Sequence, residues 1–415
     1  MSESTRRSSS ALVIVVMITL VLLINYVDRG SLSLAIAFVP FREFFKLDES
    51  QLGTLQSSFY WTYAVSNIVV GYFADRIGAH RTLAAGVLLW SLATLLMGFA
   101  SSLLGLIVLR LLLGMGESVG FPCTSKILAA HVKPAYLGLA NGVLAFGYLF
   151  GPAVGTYVGG HLLSSYNDWR PMFWLFGGVS LLWIVPWLFM RSDEPTVAAD
   201  VAHSQREPPT FRQVLRQRGL WGASLGHFTS NYTYYFILQW LPYYLVQSRG
   251  FSMAKMADVV SESYVINAIA AVTVGWLLDA AMRRHWSPTL LYKSAMGVSH
   301  LGAIACMAGI ALLPEQQSVW SLFMYQIMVG LAAPGVFAIP QLIAGEAAAG
   351  RWVGVQNFCG NLAGIVAGSL TGFLLAQFGH SFMGAFAVAG IINVLGFVGW
   401  VIILPSLKPI DWSKA

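Results

Sequence analysis

Asp28 and Arg29 stand side by side in NYVDRGSLSLA (25–35), directly after the apolar run ALVIVVMITLVLLI (11–24). A charge at bilayer depth costs a few kcal/mol or more, so such residues mark pathways and binding sites. Arg110 and Glu117 are embedded in a second apolar segment, LRLLLGMGES (109–118). Seven residues are nearly two helical turns, so both side chains leave one face, about 10 Å apart along the axis. Tyr63 and Asn67 share a face in the same way, with Tyr60 and Asn25 nearby in the same segments. Arginine offers a rigid donor fork that suits a carboxylate and keeps its proton. A buried carboxyl has its charged form disfavoured by burial and favoured by a neighbouring arginine. An anion that captures the arginine therefore leaves the acid unpaired and ready for a proton, a physical route to coupling an organic anion to H⁺. The competing reading is two closed ion pairs, Asp28–Arg29 and Arg110–Glu117, that lock helices together. Adjacent helical residues point about 100° apart, so Asp28 and Arg29 are poorly placed to neutralise only one another.

The elements that carry these residues are apolar spans. The chain is 57% hydrophobic and only 10% charged, with 41 glycines and 14 tryptophans among 415 residues, which excludes an ordinary soluble domain. Runs of about 20 apolar residues fall at 11–37, 52–74, 82–100, 103–126, 135–160, 170–190, 219–246, 259–281, 289–312, 318–342, 350–376 and 382–405. These predict an all-α membrane protein with twelve transmembrane helices in two six-helix bundles, 11–190 and 219–405. A polar connection, 191–218, separates them. The net charge of +6 is not a nucleic-acid surface. Arg76, Arg81, Lys126, Lys133, Arg212, Arg216, Arg218, Arg283, Arg284 and Arg351 fall on the side of the termini, against Arg42, Lys46, Arg170, Arg249 and Lys255 on the other. The positive-inside rule then puts both termini and the 191–218 linker in the cytoplasm, with membrane lipid as the partner of the basic excess.

The halves repeat. GYFADRIGAHR (71–81) follows the second span and GWLLDAAMRRH (275–285) the eighth, so Asp75 matches Asp279. Gly147, Gly151, Gly155 and Gly159 in the fifth span match Gly360, Gly364, Gly368 and Gly372 in the eleventh. Glycines four apart form a groove that admits another helix closely. Two repeated bundles point to an alternating-access transporter. Asp75 with Arg76 and Arg81, and Asp279 in the second half, are expected to act in gating, Asp75 by capping a facing helix or pairing with an arginine in one state only. The second half offers mainly neutral polar groups: Tyr235 and Gln239 in the seventh span, Asn357 and Asn361 in the eleventh. They either hydrogen-bond a substrate or bond neighbouring helices. The three cysteines match no metal spacing, and neither a metal cluster nor a nucleophile–base set falls in the spans, so no metal, cofactor or enzyme activity is expected.

Twelve spans in two halves, with GYFADRIGAHR close to a characteristic loop, resemble the major facilitator superfamily over the whole chain. NYVDRGSLSLA, YWTYAVSNIVVGYFADR, the Arg110–Glu117 spacing and NFCGNLAG narrow the resemblance to its anion:cation symporters, bacterial members of which take up sugar acids and other organic anions with protons. The resemblance implies that Asp28 and Glu117 couple protons. It implies that Arg29, with Arg110, Tyr63 and Asn357, serves the substrate, and it adds Tyr148 where galactonate-type members carry glutamine. Asn67, Tyr235, Gln239 and Asn361 complete the expected substrate site. The expected activity is uptake of a sugar acid or other carboxylate with inward proton flow, by a monomer in the cytoplasmic membrane. The alternatives are a proton-coupled drug or metabolite exporter, to which the Gly147–Gly151–Pro152–Gly155 pattern also belongs, and an organic-anion exchanger.

Overall fold

A computed structural model describes residues 3–133, 136–190 and 209–412, the side chains of residues 3–10, 138, 346 and 347 excepted. Residues 191–208 of the polar connection lie outside the described residues. Everything regular among the described residues is helical, as lipid demands of a chain that must satisfy its own backbone.

The elements are α1 (Glu3–Ala37), α2 (Val39–Phe45), α3 (Glu49–Arg76), α4 (Ala79–Met97), α5 (Leu103–Glu117), α6 (Gly120–His131), α7 (Leu137–Tyr166), α8 (Arg170–Phe189), α9 (Phe211–Leu215), α10 (Arg218–Tyr243), α11 (Met253–Arg283), α12 (Pro288–Leu312), α13 (Glu315–Gln377) and α14 (Met383–Phe397). Ten spans among the described residues are long and apolar enough to cross a bilayer. Helices α3 and α10, at 28 and 26 residues, are also long enough at 1.5 Å per residue, and they stand where the second and seventh spans are expected. Their apolar density is diluted by buried polar groups such as Gln56, Ser57, Ser58, Thr229 and Gln239.

Three boundaries differ from the sequence reading. The expected fourth span, 103–126, is interrupted after Glu117, and α6 begins at Gly120. The tenth and eleventh spans are two helices, Glu315–Gly345 and Ala348–Gln377, that meet at Gly345 within α13 rather than at 342 and 350; its φ of 64° and ψ of 178°, which only glycine adopts readily, break the helix there. The seventh and twelfth spans close in wider π turns, Tyr244–Ser248 and Val398–Ile403.

By contact the chain forms two units. The first comprises residues 1–48, 55–202 and 242–264; the second comprises 49–54, 203–241 and 265–415. In the first, α1 lies along α7, and the glycine stripe is what lets it do so. A Cβ at Gly147 would fall 2.7 Å from the Thr19 carbonyl oxygen, one at Gly151 2.6 Å from that of Leu23, and one at Gly155 3.0 Å from Val27 Cα. This contact fixes the rotation of α1, and with it the directions taken by Asn25, Asp28 and Arg29. In the second unit, α12 packs on α13 and α14 around Tyr292, Met296, Trp352, Trp400 and Leu404. Val214 of α9 is buried in the same cluster, and Thr210 closes a capping box with Gln213.

Candidate functional site

Arg29 leaves α1 toward α5. Its Nε donates to Glu117 Oε2 at 2.8 Å, and its Nη2 donates to Asn25 Oδ1 one turn back at 3.2 Å. The side chains of the pair are 2% and 0% exposed. Three rings line the guanidinium: its Cζ stands 4.5 Å from the Tyr26 centroid, 4.8 Å from Tyr63 and 5.0 Å from Phe59. Aromatic faces attract a cation by about 0.5–2 kcal/mol each, more as water is excluded. Phe59 also carries Arg110, whose Cζ lies 5.0 Å from the ring. Arg110 Nε and Nη1 are buried and make no hydrogen bond among the described residues.

Two guanidinium groups and one nearby carboxylate therefore share a dry aromatic wall. A buried ion pair contributes little net stability, since apolar residues of the same shape often do as well. Glu117 is the carboxyl that contacts a guanidinium here, and the fork of Arg110, with two donors unengaged among the described residues, has the shape to take a further carboxylate.

The structure resolves the two expected ion pairs differently. Glu117 pairs with Arg29, not with Arg110, and both guanidinium groups lie over Phe59. Asp28 turns away from Arg29 to α8, where Ser180 Oγ donates to its Oδ2 at 2.6 Å; both residues are fully buried. The 100° between neighbours on α1 is enough to send the acid and the base to different helices. Trp90 and Glu117 are nevertheless close to Asp28, so the two acids remain electrostatic neighbours.

The other expected substrate residues are spread more widely. Tyr63 is at the arginine, stacked on Phe59 at 5.2 Å. Asn67 is spent on its own helix, donating to the Tyr63 carbonyl at 2.8 Å. Tyr148 lies behind Tyr26, 5.7 Å between centroids, and 5.4 Å from Phe121. In the second unit most of the amides stitch α10 to the later part of α13. Tyr235 donates to Asn361 Oδ1 at 3.3 Å, Gln239 to the Gly364 carbonyl at 3.2 Å and Asn231 to that of Gly360 at 3.1 Å. Tyr235, Gln239, Asn361 and Asn231 thus bond one helix to another in this conformation. Asn357 is only half-buried, and no hydrogen bond engages its side chain among the described residues. Gln356, one position earlier, is buried and donates to Val336 O at 2.8 Å, beside His227.

Asp75 is exposed and pairs with Lys126 at 2.8 Å rather than with an arginine; the same ammonium donates to the Ala74 carbonyl. Arg76 donates to Tyr72 on its own helix, and Arg81 and Asp279 are exposed. Sequence reasoning missed Phe59, Ser180 and Lys126. Phe59 was within reach, one turn before Tyr63 on the same face. Ser180 had no signal, because a serine in GGVSLLW looks like any small helix-packing residue.

Ten spans long and apolar enough to cross a bilayer, with buried charges set beside aromatic rings, have the make-up of a multi-pass membrane protein. The chain belongs to the Major Facilitator Superfamily, whose family model matches residues 18–368. It is 28% identical over 402 residues to the hexuronate transporter of Bacillus subtilis (strain 168), covering 92% of each chain. It is 26% identical over 418 residues to the D-galactonate transporter of Escherichia coli O6:H1, covering 95% of each. Hexuronate and D-galactonate are organic anions, so both of these relatives are organic-anion transporters. The crystal structure of a D-xylose-proton symporter superposes with a TM-score of 0.73 at 17% identity, over 95% of this chain and 98% of that one. A bacterial homolog of the human lysosomal transporter Spinster gives 0.74 at 17% identity, over 95% of each. These likenesses identify the major facilitator fold.

Proposed function

We propose that this protein is a secondary active transporter that couples uptake of an organic anion, a sugar acid or another carboxylate, to inward proton flow. The observation that carries the reading is the buried Arg29–Glu117 pair with Arg110 beside it, two fixed positive charges and one protonatable partner on a common aromatic wall. The hexuronate and D-galactonate transporters among the relatives support the cargo class. An exporter of hydrophobic compounds has no use for two arginines there, and the glycine pattern shared with exporters has a packing role against α1.

In the cycle, the anion takes the guanidinium donors that Glu117 holds in the unliganded protein. Glu117, displaced within a dry site, accepts a proton, so anion and proton are carried together. Release of the anion lets Arg29 recapture Glu117 and expel the proton. Asp28 serves as the second coupling acid, Tyr63 shapes the anion site beside Arg29, and Asp75–Lys126 acts as a latch between conformations. The protein works as a monomer in the cytoplasmic membrane with both termini in the cytoplasm.

The test is uptake into proteoliposomes of labelled galacturonate, D-galactonate and benzoate, with and without an inward proton gradient. The expected result is gradient-stimulated uptake of at least one, abolished in Arg29→Ala. A gradient-independent flux overturns coupling, and an active Arg29→Ala removes the arginine from the site.

A further inference from the structure

Ser180 Oγ stands between two acceptors. It is 2.6 Å from Asp28 Oδ2 and 2.9 Å from the carbonyl oxygen of Phe176, one turn earlier on α8. A hydroxyl has one proton and two lone pairs, so it cannot donate to both at once. From this geometry we propose that Ser180 is the positioning residue for Asp28, a two-way hydrogen-bond switch that keeps Oδ2 of the acid hydrogen-bonded in either protonation state. The inference rests on the proton-coupled reading given above and adds to it the group that makes one of its acids workable in a dry site.

When Asp28 is ionised, the Ser180 O–H donates to Oδ2, and 2.6 Å lies in the range of charge-assisted O–H···O⁻ bonds. When a proton arrives on Asp28, Oδ2–H donates to Ser180 Oγ, and the serine proton swings to the Phe176 carbonyl. The proton on Asp28 comes from the aqueous phase through the transport cycle. No covalent bond of Ser180 breaks, and only the rotation about Cβ–Oγ changes. Each state keeps every donor matched to an acceptor along Asp28, Ser180 and Phe176. Asp28 Oδ1 is buried without a hydrogen bond among the described residues, so loss of Ser180 would leave Oδ2 unsatisfied as well, at a cost of about 1–3 kcal/mol.

The surroundings leave few competitors. The charged and polar groups that face Asp28 are Ser180 from α8, the Trp90 indole from α4 and Glu117 from α5, which is the nearest like charge. Arg29, next on α1, is held by Glu117 and Asn25. Ser180 and Asp28 are both 0% exposed in this conformation, so their hydrogen bond is made away from bulk water.

The experiment compares wild type, Ser180→Ala, Ser180→Thr and Asp28→Asn in proteoliposomes, with thermal unfolding to show that each is folded. Gradient-driven uptake is measured from pH 5 to 9 alongside substrate counterflow at equal pH on both sides. Infrared difference spectra on acidification follow the carboxyl C=O band. Ser180→Ala is expected to lower driven uptake several-fold more than counterflow and to displace the pH profile to higher pH by up to about one unit, since the stronger of the two bonds is the one to the ionised acid. The C=O band that Asp28→Asn removes should move to higher wavenumber in Ser180→Ala, as that of a carboxyl whose O–H has lost its acceptor does. Ser180→Thr, which keeps the hydroxyl, should restore both. A Ser180→Ala profile and band that superimpose on wild type overturn the switch while leaving proton coupling intact. Equal loss of driven uptake and counterflow, with an unmoved band, reduces Ser180 to a packing residue. A wild type indifferent to the gradient overturns this inference together with the coupling on which it rests.

Discussion

Replacement of Glu117 by glutamine is the most discriminating perturbation of the site. Glutamine keeps the shape and an acceptor for Arg29 Nε, which lies 2.8 Å from Glu117 Oε2, but removes the one negative charge facing Arg29 and Arg110. Taking away one partner of a buried ion pair costs about 3–5 kcal/mol, because the remaining charge is left uncompensated. The retained amide bonds and the three rings around Arg29 place the expectation at the lower end, about 3 kcal/mol. An incoming carboxylate restores the missing charge without first having to displace Glu117. Its affinity should therefore rise, at most by roughly 100-fold, the equivalent of that free energy. The assay is thermal unfolding in detergent with and without the carboxylate that supports wild-type uptake. Glu117→Gln should unfold at lower temperature than wild type when unliganded and show a larger anion-induced shift. In proteoliposomes its gradient-driven uptake should be lost while counterflow remains measurable. A variant with wild-type unliganded stability and no gain in affinity would refute the argument that Glu117 and the substrate compete for the same guanidinium.

Gly151→Ala places a Cβ 2.6 Å from the Leu23 carbonyl, so α1 must move; overpacking of this kind costs about 1–3 kcal/mol. Gly142→Ala on the same helix has nothing within 4 Å and should be near neutral in thermal unfolding, which makes it the internal control. Gly345→Ala forces an alanine to φ 64° and ψ 178°, a conformation that costs an L-residue about 1–3 kcal/mol, so its midpoint should fall although no side chain stands in the way. Asp75→Asn breaks a pair whose side chains are 78% and 42% exposed. Stability should change by less than about 1 kcal/mol, while the maximal uptake rate falls and anion affinity stays; a large loss of stability would contradict the latch.

Much of this molecule is legible from residue types alone. Long apolar runs dictate helices wherever water is absent, and the expense of a buried charge singles out Arg29, Arg110, Asp28 and Glu117 without any coordinates. The four-residue glycine interval announces a close helix contact, and Gly147, Gly151 and Gly155 make one with α1. The break after Glu117 was harder to see, since GMGES has the composition of a helix with small residues and the turn depends on what packs around it. Ser180 and Phe59 were hidden for a related reason: each is an ordinary helix residue whose importance lies in a neighbour on another element.

The sequence by itself determined how many costly charges the membrane part holds and on which segments they ride. Which charge meets which was decided by tertiary structure. On one turn of α1, Asp28 and Arg29 diverge by about 100°, so a modest rotation of that helix about its axis exchanges their partners. The rotation is set by glycines of α7 more than a hundred residues away, which press against Thr19, Leu23 and Val27 and so turn Arg29 to Glu117 and Asp28 to Ser180. No local rule of spacing contains that information, because it resides in the contact between two helices and not in either one.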